Sequence, residues 1–262
     1  MATKGGPRLF TDLDHSDMLW YMDITNKDCW DGSAISSTSK LYNLANLAEY
    51  MYPSDTSKAT STYHSLTRES VERFGTTDHN TAWRSNVNKQ RFTAGNAGSM
   101  SAFCFLNGGI GSSYQSNNNI YLGGFNNRIS FSMAGGGSSQ WGGPLIYRHD
   151  GSGSLIHRNY GAGALLDNTW RSFGWSISAD GNTTATCKVY HDGILVSSGT
   201  HTVSDSGLYQ LPNGGDIMVM GAWGTGYGEY SGKYNNWMYF STELDATDFK
   251  QLHNAFKSKY GA

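Results

Sequence analysis

Charge is what this sequence has least of. Only 15% of its 262 residues are Asp, Glu, Lys or Arg, against about 25% in ordinary domains. The 21 acids and 19 bases nearly cancel, for a net charge of -2. No cluster of Lys or Arg stands out, and a nucleic-acid groove needs a basic stripe, so no nucleic-acid partner is expected. Long apolar runs are also missing. A spanning helix needs about 18 or more consecutive apolar residues, so no membrane span is expected. The opening Met1-Ala2-Thr3-Lys4-Gly5 lacks the apolar core of a signal peptide, and synthesis in a cytoplasm is the expectation.

Cysteine is scarce too. Cys29, Cys104 and Cys187 are far apart, odd in number and outside any Cys-x-x-Cys pair. They read as buried, reduced thiols and not as a zinc site or a disulfide framework. Glutamate is rarer than usual, at Glu49, Glu69, Glu72, Glu229 and Glu243. Retaining glycosidases set two carboxylates about 5–5.5 Å apart, and glucanases do so with Glu-x-Asp-x-Glu on one strand. No such motif occurs, so no catalytic residue is named and no enzyme is expected. Asp12, Asp14 and Asp17 with His15 could hold calcium only if more oxygens converged, because calcium takes six to eight. No motif supports that site, and no metal or cofactor is expected.

What the chain has in quantity is glycine, 33 residues, and aromatics, at 13%. With Ser, Asn and Tyr abundant, this composition suits a β-sandwich with polar loops. A chain of this length buries roughly three quarters of its unfolded surface and is commonly one domain when all-β. Residues 1–18 are polar, contain Gly5-Gly6-Pro7, and read as an extended arm. Residues 19–262 read as the single domain.

Alternation predicts strands at 19–24, 100–106, 120–125, 128–133, 145–148 and 155–158. In the second of these, Phe103 and Phe105 share one face while Ala102, Cys104 and Leu106 share the other. Both faces of that strand are therefore expected to be buried. Asn126-Asn127 and the stretch 150–153 read as hairpin loops. Residues 41–51 carry Leu41, Leu44, Leu47 and Met51 at nearly helical spacing, so a short helix capped by Asn43 is predicted there. Residues 52–96 read as short strands and loops.

The stretch 168–256 is the most ordered in pattern. Ser172-Phe173-Gly174-Trp175-Ser176-Ile177-Ser178 alternates apolar and polar residues, and 184–190 alternates again. His191-Asp192-Gly193 then turns the chain into Ile194-Leu195-Val196. Asp-Gly between alternating runs signals a type I′ turn, which needs positive φ at both central residues. Strands at 216–221 and 234–240 follow, then a helix at 244–260. Asp245 is its N-cap, with Asp248 completing a capping box. Leu244 and Phe249 form a staple, and Phe249, Leu252, Phe256 and Tyr260 form an apolar stripe that must pack on the sandwich.

That order of motifs resembles the second half of the concanavalin A-like, or laminin G-like, jelly roll. Trp170 leads a strand, Tyr190-x-Asp192-Gly193 makes the hairpin, Gly221 ends a short strand, and Gly232 precedes the last one. Leu244, Asp245 and Asp248 match the family's closing helix pattern. The resemblance spans about a third of the chain. It implies an all-β, two-sheet antiparallel jelly-roll sandwich with a short C-terminal helix. The N-terminal half adds Lys4-Gly5-Gly6-Pro7, Leu19-Trp20-Tyr21-Met22-Asp23, Asn26-Lys27 and Lys40-Leu41-Tyr42-Asn43-Leu44. This is similar to the opening of laminin G-like virion proteins of tailed bacteriophages, with Ile24 where that pattern has Ala and Tyr42 where it has Trp.

The resemblance implies a non-enzymatic structural or interaction protein of a virion, made in the host cytoplasm, on the capsid surface or tail. Its partners would be other virion proteins, in a multi-copy or homo-oligomeric assembly. A carbohydrate-binding receptor module contacting cell-surface glycan is the alternative, and a divergent glycan hydrolase the third reading. Candidate contact residues are aromatics in Gly-rich loops: Trp141, Trp223, Tyr227, Tyr230 and Tyr114. Their flat faces suit sugar rings, a second subunit, or the core itself. Leu9 and Phe10 are the apolar anchors of the arm.

Overall fold

In a computed structural model of the chain, the structure describes residues 15–61, 64–67, 69–73, 83–89, 97–107, 120–125, 129–133, 144–148, 154–158, 169–180, 184–202, 216–220 and 232–261. The strands are β1 (Met18–Met22), β2 (Leu41–Asn43), β3 (Asn46–Pro53), β4 (His64–Leu66), β5 (Val71–Arg73), β6 (Trp83–Lys89), β7 (Ala97–Asn107) and β8 (Ile120–Phe125). They continue with β9 (Ile129–Met133), β10 (Pro144–Arg148), β11 (Ser154–Arg158), β12 (Arg171–Asp180), β13 (Thr184–His191), β14 (Ile194–Thr202), β15 (Asp216–Met220) and β16 (Gly232–Phe240), and one helix closes the order, α1 (Ala246–Tyr260).

Two antiparallel sheets result, as the jelly-roll expectation requires. One runs β14-β13-β12-β7-β16-β5-β4, with β1 also on β16. The other runs β11-β10-β9-β8-β15-β6-β3-β2. Strand β16 is shared along its length on one side. Its first residues pair with β5, from Gly232 opposite Arg73 to Tyr234 opposite Val71. Its last residues pair with β1, from Trp237 opposite Met22 to Phe240 opposite Met18.

The middle of the first sheet, around β7, β12 and β16, is buried on both faces, because α1 covers the side that does not face the second sheet. Ala102, Cys104, Leu106, Phe173, Trp175, Ile177 and Trp237 point into the sandwich core. Phe103, Phe105, Tyr190, Met238 and Phe240 point the other way and pack with Phe249, Leu252 and Phe256 of the helix. The two-faced reading of β7 thus holds, and the period-2 side-chain alternation of a strand explains it.

Two glycines let the helix lie this close. A Cβ on Gly174 would sit 2.4 Å from the ring of Phe249, and one on Gly193 would sit 2.9 Å from the Lys250 Cα. Asp192 and Gly193 have φ of 47° and 74°, positive at both as a type I′ turn demands. The helix starts as expected. Asp245 accepts from the N–H groups of Thr247 and Asp248, and the Asp248 carboxylate accepts from the Asp245 N–H. Gly261, at φ 67°, ends it in the left-handed conformation, which costs glycine nothing.

The helix expected at 41–51 is not there. Leu41 and Met51 face each other across the β2–β3 hairpin, and both are wholly buried. The spacing that looked helical is the sum of two strand faces and a turn. Leu47, which a buried helical stripe would hide, is 44% exposed. Asn43 does not cap a helix. Its Oδ1 accepts from the backbone N–H groups of Tyr21 and Ala45, and its amide donates to Leu19 O, so it ties β1 to the hairpin.

Candidate functional site

The aromatics singled out by sequence, Tyr114, Trp141, Trp223, Tyr227 and Tyr230, lie outside the described residues. So do Leu9 and Phe10 of the arm, and Asp12 and Asp14. Of the calcium candidates, Asp17 closes a single turn of 3-10 helix, and its carbonyl accepts from the N–H and hydroxyl of Ser241. Among the described residues, no three His, Cys, Asp or Glu side chains are grouped as metal ligands would be.

The structure does bring a Ser, a His and an Asp together. Ser172 Oγ lies 3.0 Å from His253 Nδ1, and Asp192 Oδ1 lies 3.9 Å from the same nitrogen. A nucleophilic relay needs the serine and the carboxylate on opposite ring nitrogens. Here both approach Nδ1, Ser172 is 1% exposed, and the Asp192 carboxylate also accepts from the Ser172 backbone N–H. The cluster fastens α1 to the Asp192-Gly193 hairpin. Burial pushes His253 below the usual histidine range, over the opposing pull of Asp192. Among the described residues, two glutamate side chains have polar contacts. Glu243 is ion-paired with Lys188 at 2.6 Å, and Glu49 accepts from the amides of Asn43 and Asn46, both at 2.9 Å.

A different surface carries recognition chemistry, and sequence reading passed over it. On strands β2, β3 and β6, one face is Leu41, Met51 and Trp83, all turned into the core with no exposure. Alternation puts Tyr42, Tyr50, Tyr52, Arg84 and Asn86 on the other face. Tyr42 is directly opposite Tyr50, and Tyr52 is opposite Arg84. The rings form a row. Tyr42 and Tyr50 have centroids 5.9 Å apart at 62°, and Tyr50 and Tyr52 are 6.2 Å apart at 59°.

The row is half-buried and held rigidly. Lys40 Nζ lies 4.2 Å over the Tyr50 ring. The Arg84 guanidinium lies 4.8 Å over Tyr52, and its Nε donates to the Tyr52 hydroxyl at 2.6 Å. Asn86 Oδ1 accepts from the Tyr50 N–H at 2.8 Å. Aromatic pairs at such tilted angles keep their preferred electrostatic geometry and fix one another's orientation. The result is a corrugated face of π surfaces, two cations and exposed amides at the edge of a sheet. Such a face can stack the C–H side of a pyranose while polar groups at its margin bond hydroxyls. The signal was present in sequence as the alternation Tyr50-Met51-Tyr52, but the helical spacing of the neighbouring leucines masked it.

No protein-family model matches the chain, and no curated protein matches it by sequence. Solved structures do. The binding domain of Paraclostridial Mosquitocidal Protein 1 aligns with a TM-score of 0.57 at 10% identity, over 92% of this chain and 53% of that one. The receptor binding domain of botulinum neurotoxin D aligns at 0.56 and 13% identity, over 92% and 53%. The ligand binding domain of botulinum neurotoxin serotype D, in complex with N-acetylneuraminic acid, aligns at 0.55 and 12%, over 92% and 51%. This chain therefore spans about half the length of the domains it matches. At these identities the likeness establishes the fold, a two-sheet antiparallel β-sandwich with one C-terminal helix.

Proposed function

We propose that this chain is a non-enzymatic recognition module that binds carbohydrate through the Tyr42–Tyr50–Tyr52 face. The observation that carries the proposal is the row of three cross-braced rings on the solvent side of a strand edge, with amides and cations beside it. The sandwich domains similar to this fold include one solved with a sugar acid bound, which supports the same class of function. The test is a glycan array probed with wild-type protein and with Tyr50→Ala. Binding to a defined subset, lowered about fivefold or more by the substitution, is expected, taking the roughly 1–3 kcal/mol of a base stacked on an aromatic ring as the scale for a stacked sugar. Ile194→Ser, at a residue 59% exposed on β14, is the control and leaves binding intact. Absence of any glycan signal overturns the reading. Binding that survives Tyr50→Ala but is lost with Trp223→Ala moves the site to the Gly-rich loop.

We propose further that the module works as a multi-copy component of a bacteriophage-type particle. The support is the N-terminal sequence pattern, from Gly5-Gly6-Pro7 through Leu44. An arm with few apolar residues gains order where another surface supplies its hydrogen-bond partners, and Leu9 and Phe10 are its anchors. Deleting residues 1–10 should abolish joining of particles. Normal occupancy after the deletion removes the arm from that role.

A further inference from the structure

Resting on the carbohydrate reading, we infer that the sugar taken by the tyrosine face is acidic: a saccharide bearing a carboxylate, such as a uronic acid. The two cations of the face are Lys40, against Tyr50, and Arg84, against Tyr52. Among the described residues neither has a carboxylate partner in salt-bridge reach. Two acids on or beside β3 have other partners. Glu49 takes the amides of Asn43 and Asn46, and Asp55 accepts from the N–H and hydroxyl of Ser57. Among the described residues the face thus carries two cations with no carboxylate paired to them, on a chain whose net charge is -2.

The geometry of Arg84 points the same way. Its Nε is fixed by the Tyr52 hydroxyl, and the planar guanidinium is set on a ring. Pinning one edge of the fork leaves a pre-oriented pair of terminal N–H groups, the arrangement that binds a carboxylate with two parallel hydrogen bonds. Lys40 is exposed, and its ammonium is a compact second charge beside the central ring. A pyranose on Tyr50 then has a cation on either side for a carboxylate on the ring or on the next residue of the chain. A single-stranded oligonucleotide also needs rings and cations. It needs a continuous basic groove as well, and this sequence has no such stripe.

The test uses a hyaluronan hexasaccharide and the same hexasaccharide with its carboxyls reduced to primary alcohols, titrated by calorimetry against the full chain. The acidic form should bind about tenfold or more tightly, with affinity falling as salt is raised. Lys40→Gln, at an exposed position, should reduce that affinity about 3- to 5-fold, the value of an exposed ion pair. Arg84→Lys should reduce it further, because it keeps the charge and loses the fork. Each change should weaken the acidic form by a larger factor than the reduced form, since the rings that stack the sugar serve both. Equal binding of the two forms overturns this inference and leaves the carbohydrate reading standing. The same holds if neither form binds while the array scores neutral glycans. Preferential binding of oligo-dT overturns both, and so does the absence of binding to any saccharide.

Discussion

Lys259 Nζ donates to Asp23 Oδ1 at 2.8 Å, which fastens the last turn of α1 to the chain just past the end of β1. The pair belongs to a larger polar knot. Lys259 also donates to Thr25 Oγ1 at 2.9 Å, and Asp23 accepts from the Thr25 N–H at 3.0 Å. Tyr260 donates to Asn236 Oδ1, and Asn235, wholly buried, accepts from the Ile24 N–H and donates to the Glu69 carbonyl. Asn236 sits at φ 51° where β16 breaks register against β7. The strand irregularity therefore places two amides where β1, β16 and α1 meet.

Lys259→Met should destabilise the protein by about 1–3 kcal/mol, because it leaves a mostly buried carboxylate short of its cation. The urea midpoint at neutral pH measures this. An unchanged midpoint means that the helix end is held by the packing of Tyr260 on Trp170 and Phe105 and not by the ion pair.

Stability should fall with acid in two windows. Burial alone would raise the Asp23 carboxyl, but Lys259 and Thr25 outweigh it and hold it below the usual carboxylate range. A group depressed in the folded state contributes stability above its unfolded value of 3.8, and that stability is lost as pH falls through the folded value. His253 is also depressed, by burial first, with Lys257 and Lys250 assisting and Asp192 opposing. Its contribution is full above about pH 6.5 and declines below it. His253→Phe should flatten the slope of unfolding free energy between pH 6.5 and 5, and Asp23→Asn the slope below 4. Identical slopes in wild type and variants would remove these two residues as the cause.

Gly174→Ala should cost about 1–3 kcal/mol through overpacking against Phe249. The informative measurement is the double mutant. Gly174→Ala with Phe249→Leu should be less destabilised than the two single effects added, since the new methyl and the shortened side chain share one space. Simple additivity would show that the helix shifts as a body instead.

The C-terminal third was legible because its signals are local. An Asp-Gly turn, a capping box and a stripe at helical spacing each depend on residues within a few positions of one another. The β2–β3 region was not. Leu41 and Met51 meet only through a hairpin, and the sequence between them, Tyr42 to Tyr50, carries both helical and strand periodicities. Only the partner strand β6 decides, by pairing Met51 with Ser85 and Tyr52 with Arg84. The tyrosine face was hidden for the same reason, since it is assembled from three strands. The Ser172–His253 contact joins residues 81 apart and has no local signature at all.

Phe256→Ala should lower stability by about 3–5 kcal/mol, as for a buried aromatic in a core. Phe256 is 4% exposed and meets Phe105 edge-on at 6.4 Å. An unchanged thermal midpoint would show that the helix does not depend on the sheet beneath it.

The cysteines offer a test of the core as a whole. Cys29, Cys104 and Cys187 are free and have no exposure. Burial pushes the thiols of Cys29 and Cys187 up to about 12, and raises Cys104 as well. Reaction with a disulfide reagent requires both a thiolate and access, and these residues have neither in the folded protein. Native protein at pH 8 should therefore release no chromophore from such a reagent over minutes, while protein in strong denaturant should release three equivalents. Cys104 lies near the middle of β7, opposite Phe173 on β12 and inside the sandwich core, so its reaction in mild denaturant should track global unfolding. Cys29 sits outside the ladders, where its N–H bonds Asn26 O and its carbonyl accepts from Tyr42. It should become reactive at lower denaturant than Cys104, through opening of the 26–42 segment alone. If both react together, that segment opens only when the whole sandwich does.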